Sequence, residues 1–174
     1  MKADLSVIGP QAVLPRRIAA SATRYEVGEP LHGLGALTNG VINTTTFVLA
    51  AADTPVIGTH RFGGIAVSRC LPLATGTVAA HTAKAACPVP YLGRIRGKSE
   101  VTTTMDTASE LTGLIGDVTL IDYSATGAAD GGELYTIKDA ASADTSGLEI
   151  IEGNTALGLL EVTVAAQAYR HDVS

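Results

Sequence analysis

Short segments rich in β-branched and aromatic residues, each bounded by glycine, proline, aspartate or asparagine, recur along most of this chain. Short strands separated by turn residues are typical of β-sandwiches and β-barrels, whereas alternating α and β units need helical stretches between strands. We therefore predict a mainly β domain, either a sandwich or a barrel. The segments predict strands over residues 44–50, 62–67, 76–82, 94–98, 117–123, 133–137, 148–151 and 159–165.

Two further segments depart from this pattern. Residues 87–92 favour an extended backbone but contain two prolines, which donate no hydrogen bond, so this segment is expected at the edge of a sheet. Residues 106–111 begin with a capping residue, Asp106, and precede Gly113 and Gly116, which can end a helix. The sequence therefore predicts at most one short helix.

The first forty residues have a different composition. The segment from Gly9 to Gly40 contains three prolines and, counting both ends, five glycines, with only a short apolar run beginning at Ile18. Proline and glycine disfavour regular elements, and a segment with little apolar surface gains little free energy by folding alone. Residues 1–40 are therefore predicted to form an extended N-terminal arm that becomes ordered on a partner, and residues 41–174 to form the β domain.

The charge and apolar content favour a protein whose surface is covered by partners. Charged residues make up 17% of the 174 residues, and the apolar share of 46% comes mainly from small aliphatic side chains, with no tryptophan. Residues 1–98 carry a net charge of +6 and residues 99–174 a net charge of −11. Such asymmetry can orient the chain on a partner or join copies head to tail; alternatively, the acidic half is a solvated face.

Sequence motifs for catalysis or cofactor binding are missing. The glycine-rich stretch 33–40 lacks the spacing of a dinucleotide-binding loop, and no phosphate-binding loop or nucleophile elbow occurs. The four histidines share no ligand spacing with Cys70 or Cys87, so we expect no metal and predict buried thiols. Asp117 and Asp122 bracket a strand and are expected to be solvated. We predict a protein that is not an enzyme and has no cofactor.

Three cations at alternate positions, Arg94, Arg96 and Lys98, should project from one face of a predicted strand. Such a row can meet an acidic protein surface or nucleic acid. The few aromatic side chains and the acidic total charge favour a protein partner over direct contact with nucleic acid. The candidate partner-binding residues are this row and four residues of the arm: Arg16, Arg17, Ile18 and Arg24.

The sequence predicts neither a membrane segment nor a secretion signal. No apolar run approaches about 20 residues, the length that spans a bilayer. The N-terminus carries Asp4 early and reaches Gly9 and Pro10 before an apolar run develops. The chain is therefore expected to be made in a cytoplasm, where its cysteines are reduced.

Several stretches resemble proteins of tailed bacteriophage heads: residues 75–82, 89–90, 94–99, 135–139 and 144–148. The likeness extends over about residues 25 to 170 and is to the small decoration, or cement, proteins encoded near the major capsid gene. The resemblance implies a β domain on the outer capsid surface, assembled in the host cytoplasm, that clamps neighbouring major capsid proteins. It implies no catalytic residues.

Closed symmetry is the default for soluble oligomers, so we expect self-association, with a trimer favoured over a dimer. One alternative is a tail or tail-tube protein of the same kind of particle. Another is a β-sandwich binding module on a particle surface, for example for carbohydrate. The absence of tryptophan counts against that module, because sugars usually stack on large rings.

Overall fold

The computed structural model describes residues 5–18, 27–33, 37–38, 41–42, 46–49, 61–68, 81–99, 107–124, 134–139 and 147–169. Within these ranges the mainly β class with one short helix is confirmed. The helix α1 covers Ala108–Leu114, and a 3₁₀ turn covers Ala166–Tyr169. The strands are β1 (Ser6–Ile8), β2 (Gln11–Ile18), β3 (Pro30–Gly33), β4 (Leu37–Thr38), β5 (Val41–Ile42), β6 (Thr46–Leu49), β7 (Arg61–Ala66), β8 (His81–Pro88), β9 (Arg94–Lys98), β10 (Thr119–Ser124), β11 (Leu134–Asp139), β12 (Leu148–Asn154) and β13 (Leu159–Val164).

Most of the predicted strands are present. Seven of them correspond, in chain order, to β6, β7, β9, β10, β11, β12 and β13. These are the strands expected at 44–50, 62–67, 94–98, 117–123, 133–137, 148–151 and 159–165. Of the strand expected at 76–82, residues 76–80 lie outside the described residues, and β8 begins at His81. The extended segment expected at 87–92 ends β8 and then turns towards β9.

Five strands close into a barrel in the order β2-β6-β3-β7-β8. β2 pairs antiparallel with β8 along its whole length, but it pairs with β6 only at Arg17 and Ile18. Buried aliphatic side chains form an interior cluster, and three of its five members are alanines. Small side chains suit this position because the interior of a barrel narrows as the number of strands falls. The cluster consists of Ile18, Leu31, Ala66, Ala83 and Ala85.

A separate four-stranded antiparallel sheet has the order β1-β9-β13-β12. Its buried side chains, with Ile95, Ile150 and Val162 fully buried, pack with Tyr135 and Ile137 from the β10–β11 hairpin. Burying an aliphatic side chain of this size stabilises a fold by roughly 1.5–3 kcal/mol. The same core cluster includes Phe62 and Ile65, so β7 of the barrel also contributes to the apolar core of the sheet.

The N-cap of α1 lies one residue after Asp106, the expected capping residue, which lies outside the described part of the chain. Thr107 is the N-cap: its hydroxyl accepts a hydrogen bond from the Glu110 amide, and the Glu110 carboxylate accepts one from the Thr107 amide at 2.9 Å. This reciprocal pair satisfies two amides that a helix start leaves without partners. Gly113 lies inside α1, and Gly116 follows the helix with a φ of +94°.

The predicted boundary between an arm and a domain at residue 40 is corrected by the strand pairing. β1 pairs with β9, β2 with β8 and β3 with β7, so the described part of residues 1–40 belongs to the sheet and the barrel. Two of the residues that suggested an arm occupy turn and edge positions, whereas Gly33 lies in β3, which pairs on both sides. Gly9, with a φ of +75°, lies in the turn between β1 and β2, and Pro15 lies in a part of β2 that pairs on one side only among the described residues.

Candidate partner-binding surfaces

The basic row lies on β9 as predicted. Arg96 and Lys98 are exposed, Arg94 is half-buried, and the intervening Ile95 and Gly97 are buried, so the three cations share the outer face of the sheet. The row runs beside β13, whose Glu161 is the direct cross-strand neighbour of Arg96. The pairing of β13 with β9 therefore places the Glu161 carboxylate beside the cations of the row.

Glu161 binds two of the three cations. Arg96 donates from Nε to Glu161 Oε1 at 2.9 Å and also from Nη2, while Arg94 Nη1 donates to Glu161 Oε2 at 3.1 Å. Arg94 Nη1 also contacts Glu152 Oε2 of β12 at 2.8 Å. Glu152 and Glu161 are direct cross-strand neighbours, a destabilising placement for two acids, and Arg94 compensates by lying between them.

The ion pairs shift the pKa values of Glu161 and Arg94. Burial by itself would raise the pKa of Glu161, but the hydrogen bonds from Arg96 and Arg94 outweigh burial and lower its pKa. The hydrogen bond to Glu161, with a further one to Glu152, raises the pKa of Arg94. The row is therefore a mixed-charge surface at neutral pH, with Lys98 donating to the carbonyl of Leu157 at its end.

The structure separates the candidate residues that were expected in the arm. Arg16 points into the molecule, whereas Arg17 is exposed on the opposite face of β2. Ile18 is only 3% exposed and packs in the barrel, which corrects its assignment as a partner-binding residue in this fold. Arg24 lies outside the described residues. Arg16 and Ile18 therefore do not share an exposed surface with the β9 row.

Arg16 crosses the barrel to reach β7. Its Nε donates to the main-chain oxygen of Gly63 at 2.8 Å, and its Nη2 lies 3.1 Å from Cys87 Sγ. The Cys87 thiol in turn donates to the same Gly63 oxygen at 3.3 Å. Gly63 is the extra residue of a β-bulge, since Leu31 and His32 of β3 pair with Gly64 and Phe62 on either side of it. The guanidinium therefore binds a carbonyl at an irregularity in the β3–β7 ladder.

A cavity of about 460 Å³ adjoins this arrangement. It is mainly apolar, and it opens on the β2 side, where Ala12 is exposed and Leu14 is 37% exposed. Its far wall includes Phe62 and Tyr169, whose ring centroids are 5.6 Å apart. Tyr169 Oη donates to the Pro88 carbonyl at 2.7 Å, and burial raises the pKa of this hydroxyl. Prediction from the sequence did not identify this cavity, because its walls come from distant segments.

A second exposed feature is the loop between β8 and β9. Tyr91 is 61% exposed and Leu92 is 65% exposed. The loop is held by main-chain hydrogen bonds: Tyr91 N to the Val164 oxygen at 3.0 Å, and Leu92 N and Gly93 N to the Val89 oxygen at 3.0 and 2.8 Å. Tyr91 has a φ of +61°, an unusual value for a bulky residue. The loop thus presents two large apolar side chains on a fixed backbone.

Comparison of the chain with protein-family models, with curated proteins and with solved structures found no match. Among the described residues, no three His, Cys, Asp or Glu side chains are grouped in a way that could hold a metal ion. The helical part of the described chain contains no segment long and apolar enough to cross a membrane.

Proposed function

We propose that this chain is a structural virion protein that decorates the capsid, binding across neighbouring major capsid proteins and stabilising the head. The proposal begins with the resemblance to phage decoration proteins and with the low charge of the sequence. It places the chain on the outer capsid surface, with the major capsid protein as its partner and a homotrimer favoured over a dimer.

The structural observation that supports the proposal most directly is the β8–β9 loop. Tyr91 and Leu92 present two adjacent large side chains to water, and exposed apolar groups that lie together can mark a protein interface. The unusual φ of Tyr91 is consistent with a functional position, because strained conformations cluster at binding sites. We propose this loop as the main contact with the capsid, in place of the basic row, whose two arginines are paired within the chain.

The proposal is tested by mixing the chain with heads assembled from its proposed partner, the major capsid protein of the same genome. Heads are separated from free protein by sedimentation, and the amount of bound chain is measured. The variant combines Tyr91→Asn, which keeps a side chain that tolerates positive φ, with Leu92→Ser. The matched control is Leu157→Ser, since Leu157 is 56% exposed in a different turn.

We expect the wild type and the Leu157→Ser control to sediment with heads and the loop variant to remain free. If the wild type does not bind heads, the proposed function is wrong. If labelled antibody decorates the tails of purified particles instead, the chain is a tail protein. If the loop variant binds as well as the wild type, the assignment of the contact to this loop is wrong while decoration stands.

A further inference from the structure

The outer edge of β2 carries main-chain groups that point away from its neighbour β8. Val89 N donates to the Pro10 oxygen at 3.0 Å, so Pro10 and Val89 form a hydrogen-bonded pair next to the start of β2. Hydrogen-bonded and non-hydrogen-bonded pairs alternate along an antiparallel ladder. Gln11, Val13 and Pro15 therefore lie in non-hydrogen-bonded pairs, and their N–H and C=O groups face outwards. Pro15, which has no N–H, fits this position without loss of a ladder bond.

This edge pairs on one side only within the described residues. β6 pairs with β2 at Arg17 and Ile18 and leaves the segment from Gln11 to Pro15 open. The side chains of that segment are exposed on both faces, and Val13 is 54% exposed. An exposed edge of this kind is a template for pairing with another strand.

The cavity lies directly beside the open edge. The even-numbered residues Ala12, Leu14 and Arg16 line it, so a strand added to β2 would point alternate side chains into the same apolar space. The opposite face carries exposed Arg17 and Lys84, which lies directly across from Pro15. The face of β2 beside the cavity therefore suits apolar side chains of an added strand, and the face that carries Arg17 and Lys84 suits acidic ones.

The edge of the four-stranded sheet at β12, unlike the edge at β2, is covered by other residues of the chain. Gly116 N donates to the Ile150 oxygen at 2.8 Å, and Ile150 N donates to the Asp117 oxygen at 2.9 Å. Leu111 of α1 lies against Gly153, where an added Cβ would be 2.6 Å from Leu111 Cδ1. The chain thus protects the edge at β12 with its own residues, in contrast to the open segment of β2.

We infer that β2 is a docking site for an extended segment of a partner protein, which adds as a strand along Gln11–Pro15. The segment places alternate apolar side chains in the cavity and acidic side chains beside Arg17 and Lys84. Main-chain pairing provides affinity, and the alternation of side chains provides specificity. This inference does not depend on the partner being a capsid protein.

The test uses the full-length chain labelled with ¹⁵N and a blocked seven-residue peptide, Glu-Leu-Thr-Val-Thr-Leu-Glu, added to about 1 mM. We expect amide shifts at residues 11–17 and none at 94–98. A second peptide with lysine in place of glutamate should bind at least about fivefold more weakly at low salt, because it repels Arg17 and Lys84.

The decisive variant is Val13→Pro, which removes an outward N–H while leaving the hydrogen bonds to β8 intact. It should weaken peptide binding at least about fivefold, whereas Val13→Ala, which keeps the N–H, should have a smaller effect. If Val13→Pro does not fold, two peptides replace it, one N-methylated at the central valine and one at the following threonine. The ladder donor is the valine N–H in a parallel pairing and the threonine N–H in an antiparallel pairing, so one of the two peptides loses a donor to β2. Binding that is unchanged in both tests, or no shift at β2, overturns the inference. Slow hydrogen exchange of the Val13 amide in the free chain also overturns it, because the edge would then be paired already.

Discussion

The Nε atom of Arg16 lies 2.8 Å from the main-chain oxygen of Gly63, and this contact joins β2 to the bulge in β7 across 47 positions of the chain. The guanidinium also contacts Cys87, so a residue expected on a partner-binding arm instead connects three strands of the barrel. Arg16 therefore adds a side-chain link across the barrel to the main-chain pairing of β2 with β8.

Replacing Arg16 with alanine should therefore destabilise the fold by about 1–3 kcal/mol, since a buried carbonyl loses a charged donor. The measurement is chemical denaturation followed by circular dichroism. Arg17→Ala is the matched control: Arg17 is exposed on the other face of β2, and its loss should change the free energy of unfolding by less than about 0.5 kcal/mol. Equal effects of the two substitutions would contradict the assigned role of Arg16.

Glu161 should make the fold sensitive to acid. Its pKa is lowered, so its contribution is complete above the ordinary carboxyl value of 4.5 and is lost as the pH falls below it. Glu161→Gln should cost about 1–2 kcal/mol at neutral pH, a modest value because both arginines are about half exposed. The variant should also lose less stability than the wild type between about pH 5 and pH 3.

Denaturation curves recorded at several pH values check this prediction. Glu149→Gln is the control, because Glu149 is exposed on β12 and makes none of the contacts with the row. A variant at Glu161 whose stability falls with acid as steeply as that of the wild type would show that other groups control the acid response.

The β9 row illustrates what the sequence could and could not predict. Alternation of charged and buried residues along Arg94–Lys98 is a local pattern, and it correctly placed three cations on one face. Their pairing with Glu161 depends on the register between β9 and β13, which are about sixty residues apart. No local pattern encodes that register, so the sequence predicted a free basic row where the fold makes ion pairs.

The contrast between local sequence patterns and long-range strand pairing also explains why residues 1–40 were predicted to form an arm. Proline and glycine in β2 and around Gly9 are unfavourable for most strands, and they predicted an extended arm. The extended backbone is present in β2, but β2 becomes part of the barrel by pairing with residues of β8 that lie 63 to 77 positions away. The cavity could not be predicted from the sequence either, because Phe62, Cys87 and Tyr169 come together only in the folded chain.

Two glycines should respond in opposite directions to alanine. A Cβ at Gly93 would lie 2.2 Å from the Pro10 oxygen and 2.8 Å from the Val89 nitrogen, both main-chain atoms, so Gly93→Ala should cost at least about 2 kcal/mol. At Gly113 a Cβ meets nothing within 4 Å, and this residue lies inside α1. Gly113→Ala should stabilise the fold by up to about 1 kcal/mol because alanine favours helix. Thermal unfolding of both variants beside the wild type measures the difference, and a Gly93→Ala variant as stable as the wild type would contradict this packing of the turn.

The buried thiol predicted from the sequence is confirmed for Cys87, whereas Cys70 lies outside the described residues. Burial raises the pKa of Cys87, and this effect outweighs the nearby Arg16, which lowers it. Because the thiolate is the reactive form, alkylation of Cys87 by iodoacetamide at pH 8 should be at least about tenfold slower in the folded chain than in denaturant. Peptide mapping by mass spectrometry measures the rate at this residue, with the fully denatured chain as the reference. Equal rates in the two states would mean that reagent reaches the thiol through the cavity, and Cys87 would then be more accessible than its 5% exposure indicates.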